Sequence, residues 1–486
     1  MKHAFRLVNY FMIVYVLWFG FACQGVNAQP PKPAPPSPGA CNLDVSNMKL
    51  LETIPPIRYR DLYSMLDAKL SSILSQIDSQ WTGTIHNVCY SVELIAANGH
   101  RGEELLKPES IQAITLMLDR LKALGIRGVK VAVKYPLLRS DFLNSKGYVN
   151  FYSRVSQEVK TRNLILYVAT TAAFRDPAFT SLRVDYTGLT FQQFKKELRQ
   201  QVETVIGSMQ PDYLTFANEP ETEAMNTGLD FSVQNMKELA EYILNGLDRK
   251  GTLIGAGAGT WDKIEYFQSL AQIASLDYLD MHIYPVNFDF VMDKAIRIAK
   301  IAKDHGKRLL LSEAWLYKVW DRELGTATAA AAELFARDVF SFWSPLDQKF
   351  IEAIVKLAHL LNMDLCSFFW MQYLYSYIEH DEQKAEMKPF QLFSLVNAEA
   401  AKNILSNTLS PTGKKYQSLI YTLSRQKTET SKTSVQTTET AKTTQEYEPA
   451  SVRRQPATVI GILAVTLAVG AIMILLFRKR GTRHSA

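Results

Sequence analysis

Cysteine is scarce in this chain: four in 486 residues, one of them, Cys23, within the first 28. Cys41, Cys89 and Cys366 are too far apart for a CxxC-type zinc site and too few for a scaffold stapled by disulfides. The eight histidines are scattered, so no metal-binding spacing is visible either. A Gly-rich phosphate turn is missing too. The first strand-like run leads into "ANGHRG", which lacks the spacing of a dinucleotide-binding turn. No Asn-x-Ser/Thr sequon occurs. The body also lacks positive charge. The formal net charge is +6, but 478–486 holds four basic residues, 424–456 is +2, and Lys2 and Arg6 add two more, which leaves residues 30–423 at −2. Such a body is not built to hold a polyanion, and nucleic acid is excluded as a partner.

The two ends read differently from the middle. Lys2 and Arg6, an apolar stretch over 7–21, and the small residues before Gln29 predict a secretory signal over 1–28. Residues 29–49 open with "QPPKPAPPSPGA", a stiff Pro-rich leader. Residues 424–456 are rich in Thr, Ser, Lys and Glu. They have too little apolar surface to offset the entropy of ordering, which predicts a flexible stalk. Residues 457–477 carry no charge, and as a helix would span about 31 Å, enough to cross a bilayer. Arg478, Lys479 and Arg480 follow at once and predict a basic cytoplasmic tail over 478–486. The expected product is a single-pass protein of the cell membrane with 29–456 outside.

Between the leader and the stalk, 47% hydrophobic and 11% aromatic residues supply ample material for a core. Apolar runs alternate with amphipathic ones. Strands are expected at 89–97, 128–135, 164–171, 213–218, 252–259, 278–284, 308–315 and 365–371. Helical periodicity falls between them, as at 110–125, 191–209, 292–306 and 349–363. Eight strands alternating with helices predict an α/β fold, a single (β/α)8 barrel over 50–423.

In such a barrel chemistry sits where strands end. Strand 4 ends on Asn218-Glu219-Pro220, strand 6 on His282 and Tyr284, strand 7 on Glu313, strand 8 on Trp370. Two glutamates facing each other across the mouth suit a glycosidase: one carboxyl protonates the leaving oxygen while the other attacks the anomeric carbon. Each residue also has a plain reading. Asn-Glu-Pro alone is a common helix-opening turn, Glu313 alone an ion-pair partner, His282 a core histidine and Trp370 packing. Their order along the strands favours the catalytic reading. Asp280, in mid-strand, reads as a structural acid.

These residues resemble clan A glycoside hydrolases, the retaining barrel enzymes that include endoglucanases, mannanases and galactanases. The resemblance spans roughly 85–420 and includes "LLLSEAW" around Glu313 and "SPTGKKYQSL" at 410–419. It implies Glu219 as acid/base, Glu313 as nucleophile and Asn218 on the sugar 2-hydroxyl. It also implies Tyr284 orienting Glu313, His282 lining the subsite and Trp370 beneath the reacting sugar. Two positions depart from the pattern. Lys134 or Tyr135 stands where strand 2 often ends in Arg, and Thr170-Thr171 where strand 3 often has His. Asn98, His100 and Arg101 are candidates for other sugar contacts. The substrate expected is an oligo- or polysaccharide, with no metal and no cofactor, since protonation and carboxylate attack need none. A binding protein on an inactive barrel and a transglycosylase are the competing readings. Cys89 and Cys366 are expected as buried thiols rather than a bridge.

Overall fold

The computed structural model describes residues 54–175, 180–284, 286–287, 289–323 and 333–436. The signal segment, the leader, the rest of the stalk, the membrane span and the basic tail lie outside them, as does Cys41. Among the described residues no helix is long and apolar enough to cross a membrane.

Eight parallel strands close into a barrel in sequence order: β1 Cys89–Glu93, β2 Gly128–Tyr135, β3 Ile165–Ala172, β4 Tyr213–Thr215, β5 Leu253–Gly259, β6 Tyr278–Ile283, β7 Arg308–Ala314 and β8 Leu365–Phe368. All eight lie where the sequence predicts them, and β2 matches end to end. Three are shorter than expected by three or more residues, and β5, β6 and β7 by one. β1 stops at Glu93 because 95–97 turn into a 3-10 coil, β4 stops at Thr215, and β8 gives way before the turn at Met371–Leu374. Apolar content does not mark where a strand stops pairing, because the loops above the mouth are as buried as the strands.

Helices wrap the ring between strands. Helix α2 (Pro108–Leu124) opens on Pro108 and ends where Gly125 takes φ 106°, a conformation only glycine adopts without strain. Helix α4 (Phe191–Met209) starts from a capping box between Thr190 and Gln193 and buries Phe194, Leu198, Val202 and Val205 along one face. An added helix, α1 (Arg60–Gln80), packs on Ser344–Leu360, and the sequence reading did not foresee it. The closing helix runs Pro411–Gln436, so the first part of the expected stalk, 424–436, is helical. Cys89 and Cys366 are free thiols on adjacent strands rather than a bridge; Cys366 is buried as expected, and Cys89 is half-buried.

The barrel interior is layered. Its floor is apolar, with Tyr167, Ala169, Tyr278, Leu310 and Leu365 packed together. Glycine in "LIGAGAG" makes this possible: a Cβ on Gly255 would lie 2.1 Å from the Tyr278 ring. Above the floor sits Asp280, fully buried, accepting from the Tyr167 hydroxyl at 2.7 Å, Thr215 at 2.9 Å and the Ser312 hydroxyl at 2.8 Å. The structural role read for Asp280 is what the geometry shows. Register slips near the top of β7, where His282 pairs with Glu313 and Met281 with Leu311, leaving Ser312 as an extra residue. This bulge turns both Ser312 and Glu313 toward the interior.

Candidate active site

Helix α5 (Pro220–Thr227) begins directly after Glu219, with Pro220 at its first position. The plain reading of Asn-Glu-Pro as a helix opening is therefore true, but the Glu219 side chain does not cap that helix. Its Oε1 lies 2.6 Å from His282 Nδ1 and its Oε2 accepts from the Thr222 hydroxyl at 2.7 Å. On the facing strand, Glu313 Oε1 accepts from the Tyr284 hydroxyl and Oε2 from the Lys130 ammonium, both in close contact. One carboxylate oxygen of each glutamate and a ring nitrogen of His282 lie within 4.8 Å of one another. The two acids therefore face each other. One oxygen of each acid lies no more than 4.8 Å from one of the other, an arrangement compatible with the retaining spacing of about 5–5.5 Å between carboxyl groups.

Electrostatics act on Glu313 and His282. Burial pushes the Glu313 carboxyl up, but the Lys130 ammonium and His282, with hydrogen bonds from Lys130 and Tyr284, hold it below the usual carboxylate range. Glu313 stays ionised. Burial draws the His282 imidazole down, yet the Glu313 charge and the bond to Glu219 outweigh it and leave His282 above its ordinary value. Its Nε2 lies 3.1 Å from the Ser312 hydroxyl, which reaches Asp280. A hydrogen-bonded line thus runs from Glu219 to the structural layer beneath.

The other sequence candidates are placed unevenly. Asn218 puts Nδ2 3.1 Å from His282 Nε2 and is buried. Asn98 donates to Glu93 at 2.7 Å and caps the His100 amide at 2.9 Å. His100 stacks on Phe174 with ring centres 4.1 Å apart. Asn98, His100, Asn218 and Glu313 line a common cavity with Glu93, Lys130, Lys134, Thr171 and Phe369. Trp370 is not in that wall. It packs among Phe369, Tyr373 and Phe335, and Phe369 is the aromatic ring facing the cavity. Trp261, Trp315, Tyr373 and Tyr375 are buried as core.

Neither Lys134 nor Tyr135 reaches Glu313: Tyr135 points outward to Glu197 on α4, and Lys134 donates to Thr171 at 2.7 Å. The residue in contact is Lys130, which also lies 3.5 Å from Glu93. Lys130, Glu93, Thr222 and Ser312 were missed. For Lys130 a signal was present in "GVKVAVKY", where alternation puts Lys130 and Lys134 on one face of a strand otherwise filled with apolar residues. Glu219, His282 and Glu313 also form a three-donor cluster of the kind that holds a metal, unseen in the sequence spacing. All four of its carboxylate oxygens already have partners, so a cation would have to displace Lys130, Tyr284, His282 or Thr222.

Glu219 is 3% exposed and Glu313 0%. The cavity beside Glu313, lined by β1–β3, Asn98, His100, Asn218 and Phe369 but not by Glu219, has a volume of about 10 Å³, room for about one water. Ligand pockets ordinarily measure about 300–1,000 Å³.

No protein-family model matches the chain, and no curated protein matches it significantly. Among solved structures it is similar to a GH5_18 protein from Bifidobacterium longum subsp. longum, at 17% identity and TM-score 0.42, covering 69% of this chain and 79% of that one. It is similar to an exo-beta-1,4-mannosidase from Opitutaceae bacterium strain TAV5, at 12% identity and TM-score 0.43, over 71% and 61%. A third is an endo-beta-1,4-mannanase from Thermotoga petrophila, at 15% identity and TM-score 0.36, over 66% and 77%.

Proposed function

We propose that the chain is a retaining β-glycosidase acting on an oligo- or polysaccharide. The observation that carries this reading is the facing pair Glu219 and Glu313, one oxygen of each within 4.8 Å of the other, with Glu313 held ionised by Lys130 and Tyr284. Glu313 attacks the anomeric carbon as Glu219 gives its proton to the glycosidic oxygen. Glu219 then takes a proton from the water that releases the sugar. His282 and Thr222 fix both oxygens of Glu219, so its orientation is set before substrate arrives. Residues 457–477 and the basic residues after them support a single membrane anchor, with the barrel on the extracytoplasmic side.

The test is hydrolysis of a panel of aryl β-glycosides by the full chain, with the first-formed anomer read by NMR. Retention of configuration, lost with activity in Glu313→Gln, is the expected result; an inverted product would sink the mechanism. For topology, protease added to intact cells should release the barrel.

A carbohydrate-binding protein on the same barrel is the competing reading, and sugar binding without hydrolysis across the panel would decide for it.

A further inference from the structure

Four lysines in the described residues are buried: Lys130, Lys134, Lys195 and Lys318. Three have a carboxylate within 4 Å. Lys130 has Glu313 and Glu93, Lys195 has Glu238, and Lys318 has Asp347 at 2.6 Å and Asp338 at 3.5 Å. Lys134 has none among the described residues. Its ammonium donates to the Thr171 hydroxyl at 2.7 Å and sits 5.5 Å from the centre of the Phe174 ring. A buried ammonium without a close counter-charge is costly, and proteins ordinarily pair it.

The surroundings of Lys134 point into the site. It lines the cavity that Glu313 and Asn218 line, on the inward face of β2 that also carries Lys130. Two buried polar atoms in the same wall, His100 Nε2 and Asn218 Oδ1, have no hydrogen-bond partner among the described residues. Burial, reinforced by the Lys134 charge, holds His100 below its ordinary value, so its ring is neutral. Burial also lowers the proton affinity of Lys134, against the pull of Glu93, Glu223 and Glu313 from further away. An anion placed beside Lys134 would reverse that cost and find a donor or acceptor at His100 Nε2.

We propose that Lys134, with His100 and Asn98 beside it, forms a subsite for an anionic group, carboxylate or sulfate, carried by the sugar at the scissile bond. The proposal rests on the glycosidase reading and names its substrate class, an acidic glycan. A single buried cation suits one acidic sugar rather than a polyanion, in keeping with the −2 charge of residues 30–423. Lys130 cannot serve the same purpose, because Glu313 already occupies it.

The experiment compares kcat/KM of the full chain on p-nitrophenyl β-D-glucuronide, p-nitrophenyl β-D-glucoside and the 6-O-sulfated glucoside. The expected result is preference for one anionic substrate over the neutral one. That ratio should fall about 10- to 100-fold in Lys134→Gln, the usual worth of a hydrogen bond to a charged group. His100→Gln should lower the same ratio less. The faster anionic arm tells carboxylate from sulfate. Hydrolysis of the neutral glucoside alone would overturn the subsite and leave the glycosidase reading standing. If no member of the aryl β-glycoside panel is turned over either, the glycosidase reading fails, and calorimetry with methyl β-D-glucuronide against methyl β-D-glucoside decides the subsite. Tighter binding of the glucuronide keeps it, and equal or no binding overturns it. That comparison uses the unmodified chain, so it stands even where Lys134→Gln fails to fold.

Discussion

The floor and the mouth of the barrel are built on opposite terms. At the floor, Asp280 is surrounded by hydroxyl donors, and Tyr167, Tyr278, Leu310 and Leu365 fill the space beneath. At the mouth, Glu93, Lys130, Lys134, Glu219, His282 and Glu313 are crowded together, and His100 and Asn218 each keep an unpartnered buried atom. A buried polar group that is satisfied contributes rigidity, while one left unsatisfied costs stability and survives where a ligand completes it. Substitutions at the floor should therefore act on stability, and substitutions at the mouth on activity.

The largest expected effect is at the mouth. Glu313→Ala should lower turnover by about 10⁴-fold or more with little loss of folding, and added azide should restore activity as a glycosyl azide of inverted configuration. Glu219→Ala should cost about 10²–10⁴-fold on substrates with poor leaving groups, and far less in the first step when the leaving group is good. A uniform loss across leaving groups would argue against its role as the acid.

At the floor, Asp280→Ala removes the acceptor of the Tyr167, Thr215 and Ser312 hydroxyls, leaving Thr215 to Tyr278 and Ser312 to His282, and should destabilise by about 1–3 kcal/mol. The denaturant midpoint measures it. A stable variant with impaired turnover would blur the division between the two ends. The smallest effect is on pH dependence. Lys130→Met removes the main charge that holds Glu313 below the usual carboxylate range. The carboxyl should then bind its proton at higher pH, and the acid limb of kcat/KM should move upward. A shift to lower pH, or none, would show that Lys130 does not control the ionisation of Glu313.

The same division explains what could be read in advance. Alternating apolar runs and amphipathic stretches gave the order of all eight strands, because burial on both faces requires them. Glu219, His282, Tyr284 and Glu313 were legible because strand ends are where barrels keep chemistry, and the structure brings these four together. Lys130 and Glu93 were not, because they lie within strands, where a charged residue looks like an exception rather than a participant. Only the closure of the ring puts Lys130 against Glu313, 183 residues away in sequence. Trp370 shows the converse. A tryptophan at a strand end is equally suited to packing, and here its neighbours are aromatic.

The bulge in β7 gives one strand two inward residues in succession. Ser312 ties His282 to Asp280, and Glu313 faces Glu219 from the next position. Regular alternation would have offered a single inward place and forced a choice between them. An in-frame deletion of one codon at 312 would restore the ordinary ladder and move the glutamate into the serine's place. The barrel would still close, now without the tie between its two ends.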